Sequence, residues 1–223
     1  MSTLFATGSD RVDLPRWVTD FESFRRWMHS AAFPDEGKIC FINGRVWADP
    51  KMEEHLSHNR VRTEIGRVLA NLMIATRFGE FISEGMRYGH LESGLSTEPD
   101  GMIVSKEARR TGQVRFVGGE KGMQTEAVGS PEVVIEIVSE SSEVKDTEWA
   151  MSAYFDAEIV EYWVFDVREE DDSRFDIYKR GKKEFVAVRK AGGWVKSAVL
   201  NTSFRLTQTE DDEGEPEFRL ETR

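Results

Sequence analysis

The sequence predicts an α/β fold that ends in antiparallel β-hairpins, and three observations carry that prediction. Two stretches, "PEVVIEIVS" from residue 131 and "EIVEYWVFDV" from residue 158, have the near-continuous hydrophobicity of strands covered on both faces. Between them, "EVKDTEWAMSAYFDA" has the length and residue types of a helix of about three turns, the kind of connection that two parallel strands need. From residue 173 on, short apolar runs turn at Arg180-Gly181 and Gly192-Gly193, which is the punctuation of hairpins.

The remaining elements follow in chain order. The first dozen residues show no periodic pattern, and 1–14 read as a flexible N-terminus. "LPRWVTDFESFRRWMHSAAF" predicts a helix: Pro15 suits a first turn, Phe21, Phe24, Trp27 and Met28 recur at helical spacing, and Pro34 stops it. "KICFINGRVWA" predicts two short strands around Asn43-Gly44, a strong hairpin signal. "EEHLSHNRVRTEIGRVLANLMIAT" is the clearest helix, with Val61, Ile65, Val68, Leu69 and Leu72 as its apolar stripe. "EFISEGMRYGH", "PDGMIVS", "GQVRFVG" and "MQTEAV" then predict short strands, and Ser141 or Ser142 can cap the helix after "PEVVIEIVS". With no repeat and no internal linker, residues 15–205 read as one domain, and 206–223 as an acidic, mobile tail.

Composition narrows the function classes. A chain of 223 residues can bury one sizeable core. Cys40 is the only cysteine, so no internal disulfide forms, and the histidines lack zinc-site spacing. No secretory h-region and no run of about 20 apolar residues is present, so the expectation is a cytoplasmic protein. The net charge of −11 argues against a broad electrostatic footprint for nucleic acid, although a local basic groove is compatible with it. "VGGEKG" lacks the ending of a phosphate loop and reads as a hairpin turn.

Two acids stand where acids are costly. Asp100 follows Pro99 and opens an apolar strand, and Glu136 lies inside another, sharing a face with Val134 and Val138. An ionised carboxylate in such a place must be paired or bind a metal. On residue type alone both readings stay open: Asp100 is a turn residue after proline or a ligand, and Glu136 is half of a buried ion pair or a ligand. Two acids on neighbouring strands would suit a hard divalent cation.

At this point the chain resembles the Uma2-type endonuclease family of the PD-(D/E)XK (restriction endonuclease-like) nuclease superfamily. The matching residues are Pro99-Asp100; Ser130-Pro131 leading into Val134, Glu136, Val138 and Ser139; Asp146 and Tyr154; and "VEYWVFD" at 160–166. "FINGRVW" and "SHNRVRTEI" are similar to the family's hairpin and to its helix beginning with histidine. The resemblance implies a restriction endonuclease-like core, a mixed β-sheet flanked by helices. It implies Asp100, Glu136 and the backbone carbonyl of Ile137 as ligands of Mg²⁺ or Mn²⁺, DNA as substrate, phosphodiester hydrolysis as the reaction and a homodimer as the assembly. His58 would lie near the metal, or be an ordinary residue at a helix start.

The chain departs from the pattern at its cation. The superfamily lysine two residues after the acid is Val138 here, and the family lysine four after the helix aspartate is Ala150. Lys145 is the nearest cation in sequence; it reaches back to the site or is simply solvated. Arg45 replaces a family acid in the hairpin, and Glu64 reads as a solvated helix residue. Tyr154, Tyr162 and Trp163 read as packing residues. A nuclease-fold protein that has lost catalysis and serves as a binding or regulatory module is the alternative.

Overall fold

The computed structural model describes residues 4–6, 12–34, 37–49, 56–118, 124–139, 149–168 and 173–223. In chain order the elements are β1 (Leu4–Ala6), α1 (Phe21–Met28), β2 (Lys38–Ile42), β3 (Arg45–Asp49), α2 (Leu56–Thr76), β4 (Gly79–Ser83), β5 (Arg87–His90), β6 (Leu95–Thr97), β7 (Gly101–Ser105) and α3 (Lys106–Thr111). They continue with β8 (Val114–Gly118), β9 (Gln124–Gly129), β10 (Val133–Val138), α4 (Ala150–Asp156), β11 (Glu161–Asp166), β12 (Arg174–Arg180), β13 (Phe185–Ala187), β14 (Val195–Ser197), β15 (Thr202–Glu210) and β16 (Pro216–Thr222).

The predicted strand–helix–strand order is present, with α4 as two turns over Ala150–Asp156 and the first part of the predicted helix, 143–148, outside the described residues. β10 and β11 pair in parallel, from Val133 opposite Glu161 to Val138 opposite Asp166, and every residue of β10 is buried. They form the centre of a six-stranded sheet ordered β13-β12-β11-β10-β7-β4, whose remaining pairs are antiparallel. A seven-stranded mixed sheet, β1-β3-β2-β6-β5-β9-β8, contains the Asn43-Gly44 hairpin, where both turn residues have positive φ as that turn type demands. Three C-terminal strands, β14-β15-β16, form a separate antiparallel sheet.

One core face of the six-stranded sheet packs on α2. Val61, Ile65, Val68, Leu69 and Met73 are buried there against Ile135, Ile137, Trp163 and Phe165, each contributing about 1.5–3 kcal/mol relative to exposure. Met73 completes the stripe, whereas Leu72 is only partly buried. The opposite face, with Val134 and Tyr162, packs on Ala150, Ala153 and Tyr154 of α4 and on residues of the larger sheet.

Several local readings change. α1 begins at Phe21 and not at Pro15, because Asp20 and Ser23 form a capping box: Ser23 N–H donates to Asp20 Oδ1 at 2.8 Å, and the Asp20 N–H donates to Ser23 Oγ at 3.0 Å. Leu4–Ala6 pairs with β3, although the sequence there shows no pattern. α3 and β6 are too short to impose a period; Ser105 caps α3 through Ala108 N–H. The acidic segment after residue 205 pairs as β15 and β16 and buries Phe218 and Leu220 in the α2 core. Two apolar side chains at alternate positions outweigh its surrounding charge, and Arg60 on α2 further binds Asp211 at 3.2 Å and the Pro216 carbonyl at 2.7 Å. Glu64 is not a solvated residue: its Oε1 accepts the Leu220 N–H at 3.0 Å and ties β16 to α2. No helix of the described residues is long and apolar enough to cross a membrane.

Candidate active site

Asp100 and Glu136 come together at one end of the β7–β10 pair. The antiparallel register runs Val133–Ile103, Val134–Met102 and Ile135–Gly101; one more step puts Asp100 opposite Glu136. β7 begins only at Gly101, so a side chain takes over from the ladder: Asp100 Oδ2 accepts the Ile137 N–H at 2.7 Å. Both acids are buried, at 4% and 1% exposure, although one read as a turn residue is ordinarily exposed.

Each carboxylate is held by a group from a distant part of the chain. Lys38, at the start of β2, places its ammonium Nζ 2.6 Å from Asp100 Oδ1. Tyr154, on α4, donates its hydroxyl to Glu136 Oε1 at 2.5 Å. A phenol thus serves Glu136 as a neutral donor, and Tyr154 does more than pack. Tyr154 lies one helical turn after Ala150, the position of the family lysine, and Ala150 itself is buried in the core at 2% exposure. Val138 is buried at 1%. Both customary lysine positions are therefore apolar packing sites. Lys145, Asp146, Ser141 and Ser142 lie outside the described residues.

His58, in the first turn of α2, reaches the same place. Its Nε2 lies 3.2 Å from the Ile137 carbonyl and 4.0 Å from Asp100 Oδ2. Its Nδ1 lies 3.0 Å from Arg62 Nη2, one turn along the helix. A guanidinium can only donate, so Nδ1 is the acceptor and the ring proton sits on Nε2, which donates to the Ile137 carbonyl. Burial holds the imidazole below its usual value, against the attraction of Asp100, while Arg62 and Lys38 push the same way as burial. The ring is neutral near pH 7 and braces the carbonyl, which keeps a second lone pair. Arg62 is fixed in turn by Glu84 at 2.5 Å.

Of the residues singled out from sequence, Asp100, Ile137 and His58 come into contact, and Glu136 lies next to Ile137 on β10, opposite Asp100 in register. Glu64 does not join them, being clamped to β16, and neither does Arg45, whose guanidinium lies over Trp149. The sequence reading passed over Lys38 and took Tyr154 for a packing residue only. Lys38 carried one usable signal: it directly precedes Ile39-Cys40-Phe41-Ile42, all of which are buried. Among the described residues, no three His, Cys, Asp or Glu side chains form a group able to hold a metal ion.

Comparisons with known proteins follow the same lines. The family model described as "Uma2: Putative restriction endonuclease" matches residues 21–208. A solved structure titled as that of "a putative nuclease belonging to DUF820 from Anabaena variabilis ATCC 29413" superposes with a TM-score of 0.57 at 16% identity, covering 82% of this chain and 90% of that one. At that identity the likeness concerns the fold. No curated protein matches the chain.

Proposed function

The chain belongs to the Uma2 family, and on that premise we propose that it is a metal-dependent endonuclease hydrolysing phosphodiester bonds of DNA. One observation carries the reading: two buried acids from antiparallel neighbours meet at a strand end, with the Asp100 carboxylate bonded to the amide that directly follows Glu136.

The donor chemistry fits a hard cation. Two carboxylates and the Ile137 carbonyl are oxygen ligands of the kind Mg²⁺ or Mn²⁺ takes, with water and a substrate phosphate completing the shell. An ammonium already rests on Asp100, so this carboxylate is placed to hold positive charge. Bound there, the ion would acidify a water and offset charge on the phosphate. The protein's own groups do the rest. Tyr154 orients Glu136, the Ile137 N–H orients Asp100, and the neutral His58 holds the Ile137 carbonyl without adding charge beside the cation.

A second reading has an observation of its own. Lys38 on one oxygen of Asp100 and the Ile137 N–H on the other give this acid two partners within the protein, as in a structural ion pair. That favours a nuclease-fold module that no longer cuts. Calorimetric titration with Mn²⁺, together with plasmid cleavage in Mn²⁺, separates the two. The expected result is one binding site in the wild type, lost in Asp100→Asn and Glu136→Gln, with cleavage reduced by about 10³-fold or more. Neither binding nor cleavage in the wild type selects the inert module, and binding that ignores both substitutions removes these acids from the site.

A further inference from the structure

We propose that Lys38 is the cation of this site: it holds Asp100 until a divalent ion takes that carboxylate, and then faces the scissile phosphate. The assignment rests on the metal-dependent reading above and adds to it the residue that stands in for the missing motif lysine.

The first support is the pair itself. Lys38 Nζ sits 2.6 Å from Asp100 Oδ1, with its side chain 13% exposed. A lysine ammonium is strongly hydrated, and burying one is costly even when it is paired. As a cap for the strand end, Asp100 needs no lysine, because a neutral side-chain amide oxygen could accept the Ile137 N–H equally well. A nearly buried ammonium here is an expense that strand capping does not require.

The second support is the hairpin register. Lys38 is the direct cross-strand partner of Asp49, which is buried at 5% exposure. Direct partners carry their side chains on one face, with Cβ atoms about 4.5–5.5 Å apart. The register therefore places a second buried acid, Asp49, on the same face of the hairpin as Lys38, beside the Asp100 pair. When Asp100 turns to a divalent ion, Lys38 need not be stranded without a counter-charge in a low-dielectric place, which would otherwise oppose binding. A third support is exclusion: Val138 and Ala150 are packed in the core and leave no room there for a cation.

Lys38 moves no proton in this assignment. Water adds to phosphorus and gives up its proton to solvent; the bond from phosphorus to the leaving oxygen breaks, and that oxygen takes a proton from solvent. The ammonium offsets the charge that builds on the non-bridging oxygens between those events.

The experiment uses the full chain, with Mn²⁺ alone as the calorimetric ligand and DNA cleavage as the second readout, on wild type, Lys38→Met, Lys38→Arg and Lys145→Ala. Lys38→Met is expected to bind Mn²⁺ about tenfold more tightly, because a tethered competing charge is gone, yet to cleave about 10²–10³-fold more slowly. Lys38→Arg, which keeps a cation, should recover part of the cleavage, and Lys145→Ala should cleave as the wild type does. Unchanged Mn²⁺ affinity in Lys38→Met, unchanged cleavage in Lys38→Met, or cleavage lost only in Lys145→Ala each overturns the assignment. If circular dichroism shows Lys38→Met unfolded, Lys38→Gln is read by the same criteria. A wild type that binds Mn²⁺ and cuts while Lys38→Met does so equally sinks Lys38 alone. A wild type that does neither sinks the metal-dependent reading and this inference with it.

Discussion

Glu136 and Glu161 are both about 1% exposed and lie on adjacent paired strands, yet the protein surrounds them with different partners. Glu161, at the start of β11, accepts from the Ala198 and Val199 N–H groups at 2.7 and 3.2 Å, from Ser197 Oγ at 2.7 Å and from Trp163 Nε1 at 3.0 Å. Those are neutral donors fixed by backbone and core, and they anchor the segment after β14 to the central sheet. Glu136, together with Asp100, is held by side chains carried in on separate elements: a phenol from α4, an ammonium from β2 and an imidazole nearby from α2. Burial alone does not separate a structural acid from a candidate catalytic one; the charge of its partners and the elements that carry them do. Glu126 lies between the two cases, bound by both terminal guanidinium nitrogens of Arg25.

The comparison can be broken most directly at Glu161. Glu161→Ala leaves four donors without their acceptor, those of Ser197 and Trp163 fully buried, and should cost about 3–5 kcal/mol in urea unfolding, while Mn²⁺ affinity in the folded fraction stays at the wild-type value. A loss of Mn²⁺ binding with stability intact would reverse the roles assigned to the two acids. Tyr154→Phe is a sharper and smaller probe. It keeps the ring contact with Tyr162, with centroids 5.1 Å apart, and removes only the donor to Glu136. About 1–2 kcal/mol of stability should go, and Mn²⁺ affinity should change by a few fold; no change in either would make the hydroxyl incidental.

The smallest expected effect is a pH dependence at His58. Its pKa is lowered in the folded protein, chiefly by burial, so the unfolded chain takes up a proton that the folded chain resists. The stability contributed by the neutral ring is complete above the unfolded value of about 6.5 and declines as pH falls below it toward the lowered folded value. Urea midpoints at pH 7.5 and 5.5 should differ less in His58→Gln than in the wild type. An identical pH response in both would place the ring outside the buried cluster.

Where local pattern decided the structure, the chain was legible. The apolar continuity of 133–138 and 161–166, the Asn43-Gly44 turn and the stripe on α2 depend on neighbours in sequence, and all appear in the fold. The start of α1 and the course of the acidic segment were not legible in the same way. The first turns on one cap, Asp20 with Ser23, and the second on whether two apolar residues among many charges find a core to enter.

The candidate site divides along the same line. Asp100 and Glu136 stood out because a carboxylate inside an apolar strand is costly wherever it occurs, which is a property of the residue and its immediate neighbours. Sequence alone therefore determined that these two acids needed a partner, and that Val138 and Ala150 could not be it. Which partner answers was a matter for the tertiary structure. Lys38 lies 62 positions from Asp100 along the chain, and only the hairpin's place in the larger sheet brings the ammonium to the carboxylate. A charge acts through distance in space, so its partner is set by the packing of sheets and helices and cannot be found by counting residues from the motif.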